Sequence, residues 1–198
     1  MKQSELVHEQ VFAGDFAEEY ARKHQKIAEK FGHEMARKLA QRGFGGGRIL
    51  DAGCGFGATA IVLAQALPQS EVVGIDLSEP LLALAAQTAQ AVGLAERMAF
   101  KKADVQKIPY DDDSFDALIN LQMLHIVEDP VAMLDEVERV LAPDGFLFMA
   151  DIRRSWVGWF DKVFKSALTV EEAGALVRRS KLREGVFSSD LLWWRYEA

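Results

Sequence analysis

Three glycines at alternate positions, Gly53, Gly55 and Gly57, constrain the fold of this 198-residue chain more than any other feature. They follow a short apolar run at 48–50 that is typical of a buried strand, and they precede a helical pattern at 58–64. Glycine lets the backbone turn tightly and approach a ligand closely. The helix that follows begins with unpaired N–H groups, which favour polar ligand atoms. This order predicts the place where an α/β protein holds a nucleotide-like ligand.

The chain beyond the loop alternates between strand and helix patterns. Strands are expected at 71–75, 98–102, 115–121 and 146–150, helices at 81–92, 131–141 and 169–179, and a turn at 143–145. Such alternation predicts an α/β fold in which a parallel sheet carries helices on both faces. Two β-rich runs at 183–187 and 191–196 are separated by only three residues, so they predict an antiparallel hairpin.

The N-terminal part has a helical composition of its own. Apolar residues recur at mostly helical spacing from Gly14 to about Gln41, and we expect a pair of helices there. Gly43 and the glycines at 45–47 then interrupt the pattern. The expected organisation is one domain, in which residues 1–44 form a helical cap and residues 45–198 form the ligand-binding part.

Composition limits the classes of partner. The formal net charge of −7 gives no electrostatic reason to bind nucleic acid. No apolar run approaches the ~20 residues that cross a bilayer, and the N-terminus lacks the apolar run of a secretory signal. The single cysteine cannot form an internal disulfide. These observations predict a cytoplasmic protein with no membrane span, and they argue against a polyanionic substrate.

The glycines alone leave the ligand open between two cofactors. Residues 53–58 fit the dinucleotide pattern G-x-G-x-x-G/A, and Asp76 follows at about the distance of a ribose-binding acid. An NAD-dependent oxidoreductase is therefore one alternative. Any adenosine ligand offers the same ribose hydroxyls to Asp76, so this residue does not discriminate.

A series of separated motifs resembles the class I S-adenosylmethionine-dependent methyltransferases over roughly residues 45–197. The matching segments are 49–57, 73–78, 103–105, 115–120, His125 with 129–130, and 139–145. An acid stands two residues before the first glycine, where dinucleotide folds usually have glycine, and that acid is Asp51. The style of the motifs is closest to the branch of ubiquinone and menaquinone biosynthesis methyltransferases.

The resemblance implies a Rossmann-like, seven-stranded, mostly parallel sheet with an antiparallel last strand. It also implies S-adenosylmethionine as cofactor and S-adenosylhomocysteine as product. In the family, Asp51 would help hold the methionine amino group, Asp76 the ribose and Asp104 the adenine amino group. The full set of expected cofactor-binding residues is Asp51, Gly53, Cys54, Gly55, Gly57, Asp76, Leu77, Asp104, Val105, Asn120 and Tyr20.

Other residues have both a functional and a structural interpretation. His125 is the candidate general base, with pocket shaping as its alternative. Tyr20 and His24 lie four residues apart, so they share a helix face that could close over the cofactor. Cys54 is expected to pack between glycines rather than act as a nucleophile, and the acidic run 111–113 is expected to be a solvated loop, so no metal site is predicted.

An apolar stripe with four aromatic residues follows the predicted fifth strand. It comprises Trp156, Trp159, Phe160, Val163, Phe164 and Ala167. Helical spacing places these residues on one face, and basic residues surround them. We expect this stripe to pack over the sheet edge and, by the resemblance, to contribute to the acceptor pocket. Peripheral membrane contact is the less favoured interpretation.

The predicted function is transfer of the methyl group of S-adenosylmethionine to an O, N or C nucleophile of a small aromatic or lipophilic acceptor. The run 120–123 departs from the Asn/Asp-Pro-Pro-aromatic pattern of nucleic-acid amino methyltransferases, which argues against a DNA base as acceptor. Besides the oxidoreductase, a non-catalytic S-adenosylmethionine-binding protein stays an alternative.

Overall fold

The computed structural model describes residues 14–154 and 167–198. The helices are α1 (Gly14–Gln41), α2 (Ala58–Ala66), α3 (Glu79–Ala91), α4 (Pro130–Val140) and α5 (Val170–Arg179). The strands are β1 (Gly47–Ala52), β2 (Ser70–Asp76), β3 (Met98–Lys102), β4 (Phe115–Leu121), β5 (Leu141–Ile152), β6 (Val186–Ser189) and β7 (Trp193–Glu197). No helix within these ranges is long and apolar enough to cross a membrane.

The strands form one seven-stranded sheet in the order β3-β2-β1-β4-β5-β7-β6. Strands β1 to β5 pair in parallel, whereas β7 pairs antiparallel with both β5 and β6. The predicted fold class, with its antiparallel last strand and terminal hairpin, is confirmed. Because the strand order reverses between β1 and β4, a crevice is expected at the carboxyl ends of these two strands.

Helices cover both faces of the sheet because successive strand residues point to opposite sides. Ile49 of β1 packs in a cluster with Phe31 of α1 and Ile61 of α2. The next residue, Leu50, packs in a separate cluster with Leu134 of α4. The near-continuous apolar sequence of the central strands follows from burial on both faces.

The N-terminal region between Gly14 and Gln41 is one continuous helix, so the predicted pair of helices is wrong. Gly32 lies inside this helix, at a position where α1 packs closely on α2. A Cβ atom at Gly32 would lie 2.7 Å from Cβ of Val62 in α2. The Thr59 hydroxyl of α2 also donates a hydrogen bond to the Ala28 carbonyl of α1 at 3.1 Å. The missing side chain therefore lets α1 and α2 approach.

Helix α1 also contacts the last strand. The rings of Phe31 and Trp193 meet edge to face with centroids 4.9 Å apart. Lys38 forms an ion pair with Glu197 of β7. The first helix and the last strand are thus packed together. The division into a cap at 1–44 and a domain at 45–198 stays a prediction.

The helix and strand boundaries agree with the sequence to within two residues, except at β5 and β6. Strand β5 begins at Leu141 rather than at Phe146. Leu141 pairs with Phe115 and Phe146 pairs with Ala117, so the predicted turn at 143–145 lies in a bulge within β5. Strand β6 begins at Val186 rather than 183. In the aromatic stripe, residues 156–164 lie outside the described part of the chain, and Ala167 is buried.

Candidate functional site

The glycine loop between β1 and α2 is pressed against the loop that follows β4. Gly53 has a φ of 83°, and a Cβ atom there would lie 2.4 Å from Cγ and Sδ of Met123. Gly57 has a φ of 76°, and a Cβ there would lie 2.7 Å from Cβ of Ala85 in α3. A side chain at either position would be strained in conformation and would collide with its neighbour. The glycines therefore let the loop pack closely against the loop after β4 and against α3.

Asp76 ends β2 and ties the glycine loop to α3. Its carboxylate accepts hydrogen bonds from the backbone N–H groups of Gly55 and Ser78, both at 2.9 Å. Burial raises the pKa of Asp76, and hydrogen bonds from Ser78, Gly55 and Leu77 oppose that rise. The expected residues Gly55, Asp76 and Leu77 are thus brought together.

Asp51 is a buried carboxyl group with an unused acceptor atom. It is 2% exposed, and its Oδ2 has no hydrogen-bond partner in the described ranges. Burial and the charge of Asp76 raise the pKa of Asp51 to about 7, although a hydrogen bond from the Ala60 backbone lowers it. Two neighbouring carboxyl groups favour a ligand that brings positive charge and hydrogen-bond donors.

The Cys54 side chain is buried between the glycine loop and β2, and its small size predicted such packing. A Cβ atom on Gly74 of β2 would lie 2.7 Å from the Cys54 sulfur. Burial, followed by the charges of Asp51 and Asp76, raises the pKa of the thiol well above its ordinary value. Because the thiolate is the nucleophilic form, this environment opposes a nucleophilic role.

Asp104 follows β3 and takes part in a network that reaches the loop after β4. Its Oδ1 accepts hydrogen bonds from the Gln106 backbone N–H at 2.8 Å and from Gln106 Nε2 at 3.1 Å. Gln106 Oε1 in turn accepts the Asp129 N–H at 2.7 Å. The side chain of the neighbouring Val105 is buried in the core, so its backbone is the part that could meet a ligand.

The Asn120 side chain connects β4 with β1 at the edge of the crevice. It is buried at the end of β4, opposite Ala52 of β1. Its Nδ2 donates a hydrogen bond to the Ala52 carbonyl at 2.8 Å. The side chain thereby fixes β4 to the residue that precedes Gly53.

Tyr20 of α1 contacts the glycine loop. Its ring lies 4.1 Å from the His24 ring and meets Phe56 of the loop edge to face at 6.0 Å, measured between centroids. Burial and the charge of Asp76 raise the pKa of Tyr20. The predicted helix face of Tyr20 and His24 therefore lies beside the acidic crevice.

His125 lies in the loop after β4 and meets a carboxylate at the end of β5. Its Nδ1 is 2.7 Å from Oδ1 of Asp151, and its backbone N–H donates to Oδ2 of Asp151 at 3.1 Å. The ring nitrogen and the carboxylate are within ion-pair distance but are not aligned as a full hydrogen bond. Loose pairing of this kind is common at catalytic groups before their ligands bind.

Three residues at this edge were missed in the sequence: Gln106, Met123 and Asp151. Gln106 and Met123 have side chains of a kind that gives no local signal, and their role depends on contacts between loops. Asp151 did have a signal, because it ends an apolar strand as Asp51 and Asp76 do. Acids at the carboxyl ends of parallel strands are positioned toward the ligand crevice.

The acidic run 111–113 lies away from this edge, in the loop before β4. Asp112 Oδ1 accepts a hydrogen bond from Arg139 Nη1 of α4 at 2.9 Å. Within residues 14–154 and 167–198, no group of three or more His, Cys, Asp or Glu side chains is arranged to hold a metal ion.

Comparison with known proteins assigns this chain to a family. Residues 44–183 match the family model described as a methyltransferase domain. Phthiotriol/phenolphthiotriol dimycocerosates methyltransferase of Mycobacterium leprae is 34% identical over 161 residues, which are 79% of this chain and 58% of that protein. Demethylmenaquinone methyltransferase of Thermus thermophilus is 37% identical over 60% of this chain and 53% of its own. The chain thus spans little more than half of either relative.

Solved structures share the fold. A SAM-dependent methyltransferase from Aquifex aeolicus superposes with a TM-score of 0.68 at 22% identity, over 76% of this chain and 80% of its own. The [4+2]-cyclase SpnF gives a TM-score of 0.64 at 29% identity, over 74% and 56%. One fold thus carries more than one reaction. By its matched domain the chain belongs to the methyltransferase-domain family, and its sheet has the fold of the class I S-adenosylmethionine-dependent methyltransferases.

Proposed function

We propose that this protein transfers the methyl group of S-adenosylmethionine to a small lipophilic or aromatic acceptor. The observation that carries the proposal is the buried Asp51 carboxyl group, which has a free oxygen and lies near Asp76 at the glycine loop. S-adenosylmethionine offers an ammonium group, a sulfonium group and ribose hydroxyls. The ammonium and sulfonium groups would bring positive charge beside the two carboxyl groups, and the ammonium group would also give the unused Asp51 oxygen a donor.

The same observation argues against NAD. A dinucleotide places an anionic pyrophosphate at the glycine loop and the helix N-terminus. In this chain, the Ala60 backbone N–H at the start of α2 already bonds to Asp51, and a second carboxylate lies nearby. An anionic ligand would meet negative charge where the dinucleotide fold provides unpaired donors.

Each expected residue has a place in this arrangement. Asp51 would accept the ammonium group, and Asp76 would accept the ribose hydroxyls. Asp104 and the Val105 backbone would meet the adenine. The residues proposed to shape the pocket without a charge are Gly53, Cys54, Gly55, Gly57, Leu77, Asn120 and Tyr20, and contacts of Gly55, Asn120 and Tyr20 around the glycine loop support this proposal. The cap formed by residues 1–44 would exclude water through Tyr20.

The cofactor supplies an electrophilic methyl group and a neutral leaving group. The protein then has two tasks, which are to hold the acceptor in line and to remove a proton where the acceptor requires it. His125 is proposed for the second task, because its side chain is 8% exposed and its ring contacts Asp151 at the end of β5.

Two curated relatives support a lipophilic acceptor. Their names refer to phthiotriol and phenolphthiotriol dimycocerosates and to demethylmenaquinone. The net charge of −7 supports the proposal that nucleic acid is not the acceptor. A cytoplasmic location belongs to the same proposal, and it is supported by a single cysteine that cannot form an internal disulfide.

Calorimetric titration with S-adenosylmethionine and with NAD tests the cofactor. We expect binding of S-adenosylmethionine and none of NAD, and binding of NAD alone would overturn the proposal. Formation of S-adenosylhomocysteine across a panel of phenols, alcohols, amines and quinols tests catalysis. Binding without product from any acceptor would favour the non-catalytic alternative.

Asp76→Ala tests the assignment of the site. Loss of charge-assisted hydrogen bonds should weaken S-adenosylmethionine binding by about 1.5–3 kcal/mol, or about 10- to 150-fold in Kd. The matched control is Asp116→Ala, which removes an exposed carboxylate of β4 that accepts the Arg48 N–H at 2.8 Å. Equal affinity of the Asp76 variant and the control would remove Asp76 from the site.

A further inference from the structure

We infer that Asp151 is a positioning residue that orients His125 as the general base, and that the acceptor attacks through a hydroxyl oxygen. This inference rests on the proposed methyl transfer and deepens it.

The contact is specific in its geometry. The Asp151 carboxylate reaches both the backbone N–H of His125, at 3.1 Å, and the ring Nδ1, at 2.7 Å. Oδ1 also accepts the Ile152 N–H at 2.7 Å. The side chains of His125 and Asp151 are 8% and 2% exposed. A buried carboxylate that is hydrogen-bonded to the main chain of His125 and lies within ion-pair distance of its ring fixes the position of the histidine and places an acceptor beside Nδ1.

The backbone before His125 is held in an uncommon conformation. Gln122 has a φ of 58°, and its N–H donates to the Ala150 carbonyl of β5 at 2.8 Å. A left-handed conformation outside glycine is costly and concentrates at functional sites. The next residue, Met123, packs on Gly53 of the glycine loop. The loop at 122–125 therefore links the end of β5 to the glycine loop.

The arrangement assigns the two ring nitrogens different tasks. With its proton on Nδ1 directed to Asp151, the neutral imidazole presents Nε2 as a proton acceptor. As the acceptor oxygen forms its bond to the methyl carbon, the carbon–sulfur bond breaks and its electron pair stays on sulfur. The hydroxyl proton moves to Nε2, and the resulting imidazolium is paired with the Asp151 carboxylate. Charge and atoms balance without a further reactant.

The pair of His125 and Asp151 also narrows the chemical class of the methyl acceptor. A neutral amine or a thioether attacks through a lone pair that is already free, so a base gives it little advantage. A hydroxyl becomes strongly nucleophilic only as its proton leaves, so the general base contributes directly to its rate. A buried base with a dedicated carboxylate therefore fits an alcohol or a phenol.

Histidine ¹⁵N NMR of the full chain tests the positioning role without any acceptor. The chain has four histidines, and His125→Gln identifies the signal. We expect His125 in the Nδ1–H tautomer, and a shift away from that tautomer in Asp151→Asn. The control is Asp190→Asn, which changes a carboxylate that accepts the N–H groups of Leu192 and Trp193, both at 2.9 Å. An Nε2–H tautomer in the wild type, or no change in Asp151→Asn, overturns the inference.

Kinetics with the best phenol or alcohol of the panel gives the second test. Asp151→Asn should lower kcat about 10- to 100-fold with little change in KM, as expected when a supporting partner is lost. S-adenosylmethionine binding should persist in this variant. Turnover confined to amines, or a phenol product methylated on a ring carbon, would overturn the hydroxyl assignment, whereas failure of the wild type to bind S-adenosylmethionine would overturn the proposed function itself.

Discussion

The buried Asp51 carboxyl group makes the stability of the ligand-free protein depend on pH. Asp51 is 2% exposed, and burial and the charge of Asp76 raise its pKa to about 7. The folded protein therefore keeps a proton that the unfolded chain releases near pH ~4. Since the folded state binds more protons in this window, stability of the ligand-free protein falls as pH rises from about 4 to about 7.

Asp51→Asn should remove this pH dependence. The difference in free energy of unfolding between the variant and the wild type should shift in favour of the variant by about 2–4 kcal/mol between about pH 4 and pH 8, at about 1.4 kcal/mol per pKa unit. Urea denaturation of the ligand-free proteins at about pH 4, 6 and 8 measures it. Asp116→Asn, an exposed carboxylate, serves as control. If the difference in free energy of unfolding does not change with pH, folding does not raise the pKa of Asp51.

Helix α1 illustrates how packing between elements overrides local preference. Glycine is about 1 kcal/mol less favourable than alanine inside a helix, yet Gly32 lies within α1. Val62 of α2 occupies the space that a side chain at this position would need. The close contact between the two helices places Tyr20, on the same helix, beside Phe56 of the glycine loop.

Gly32→Ala should therefore destabilise the protein although alanine is the better helix former. A Cβ atom 2.7 Å from Cβ of Val62 forces the helices apart, at a cost of about 1–3 kcal/mol. In a Val62→Gly background, which removes both the Cβ and the Cγ1 that the new Cβ would meet, the cost should fall, and denaturant unfolding of the four proteins of this cycle measures the coupling. Gly45→Ala, where a Cβ meets nothing within 4 Å, should be neutral. Equal costs in both backgrounds would contradict the packing argument.

At the scale of the whole molecule, the first described helix packs against the last strand and the core of the sheet. Phe31 of α1 is 3% exposed and lies in one cluster with Ile49 and Phe148 of the sheet. Trp193 of β7 packs against the same ring. The first helix and the sheet thus share a hydrophobic core.

Phe31→Ala should lower the free energy of unfolding by about 3–5 kcal/mol, the cost of emptying a large aromatic site in a core. Because the first helix and the sheet share this core, unfolding should stay a single transition by circular dichroism and by tryptophan fluorescence. Lys30→Ala, an exposed position on the same helix, should change stability by less than about 0.5 kcal/mol. Separate transitions for helix and sheet signals would show that residues 1–44 form an independent unit.

Local sequence patterns were enough to predict the order of elements, the mostly parallel sheet and the glycine loop. These features depend on apolar periodicity and on the conformational freedom of glycine, which are properties of short segments. Asp51, Asp76 and Asp104 were assigned to the site from the motifs around them, and the structure places each at or just after the carboxyl end of a strand. Motif order carried the family, which the matched domain confirms.

Which side chains meet became visible only in the folded chain. The close packing of α1 on α2 depends on the fit of Gly32 against Val62, thirty residues later in the chain. The bulge in β5 depends on its pairing with β4. His125 and Asp151 are 26 residues apart, and the parallel pairing of β4 and β5 brings them to 2.7 Å. Contacts of this kind are set by register and packing between elements, which local sequence patterns do not encode.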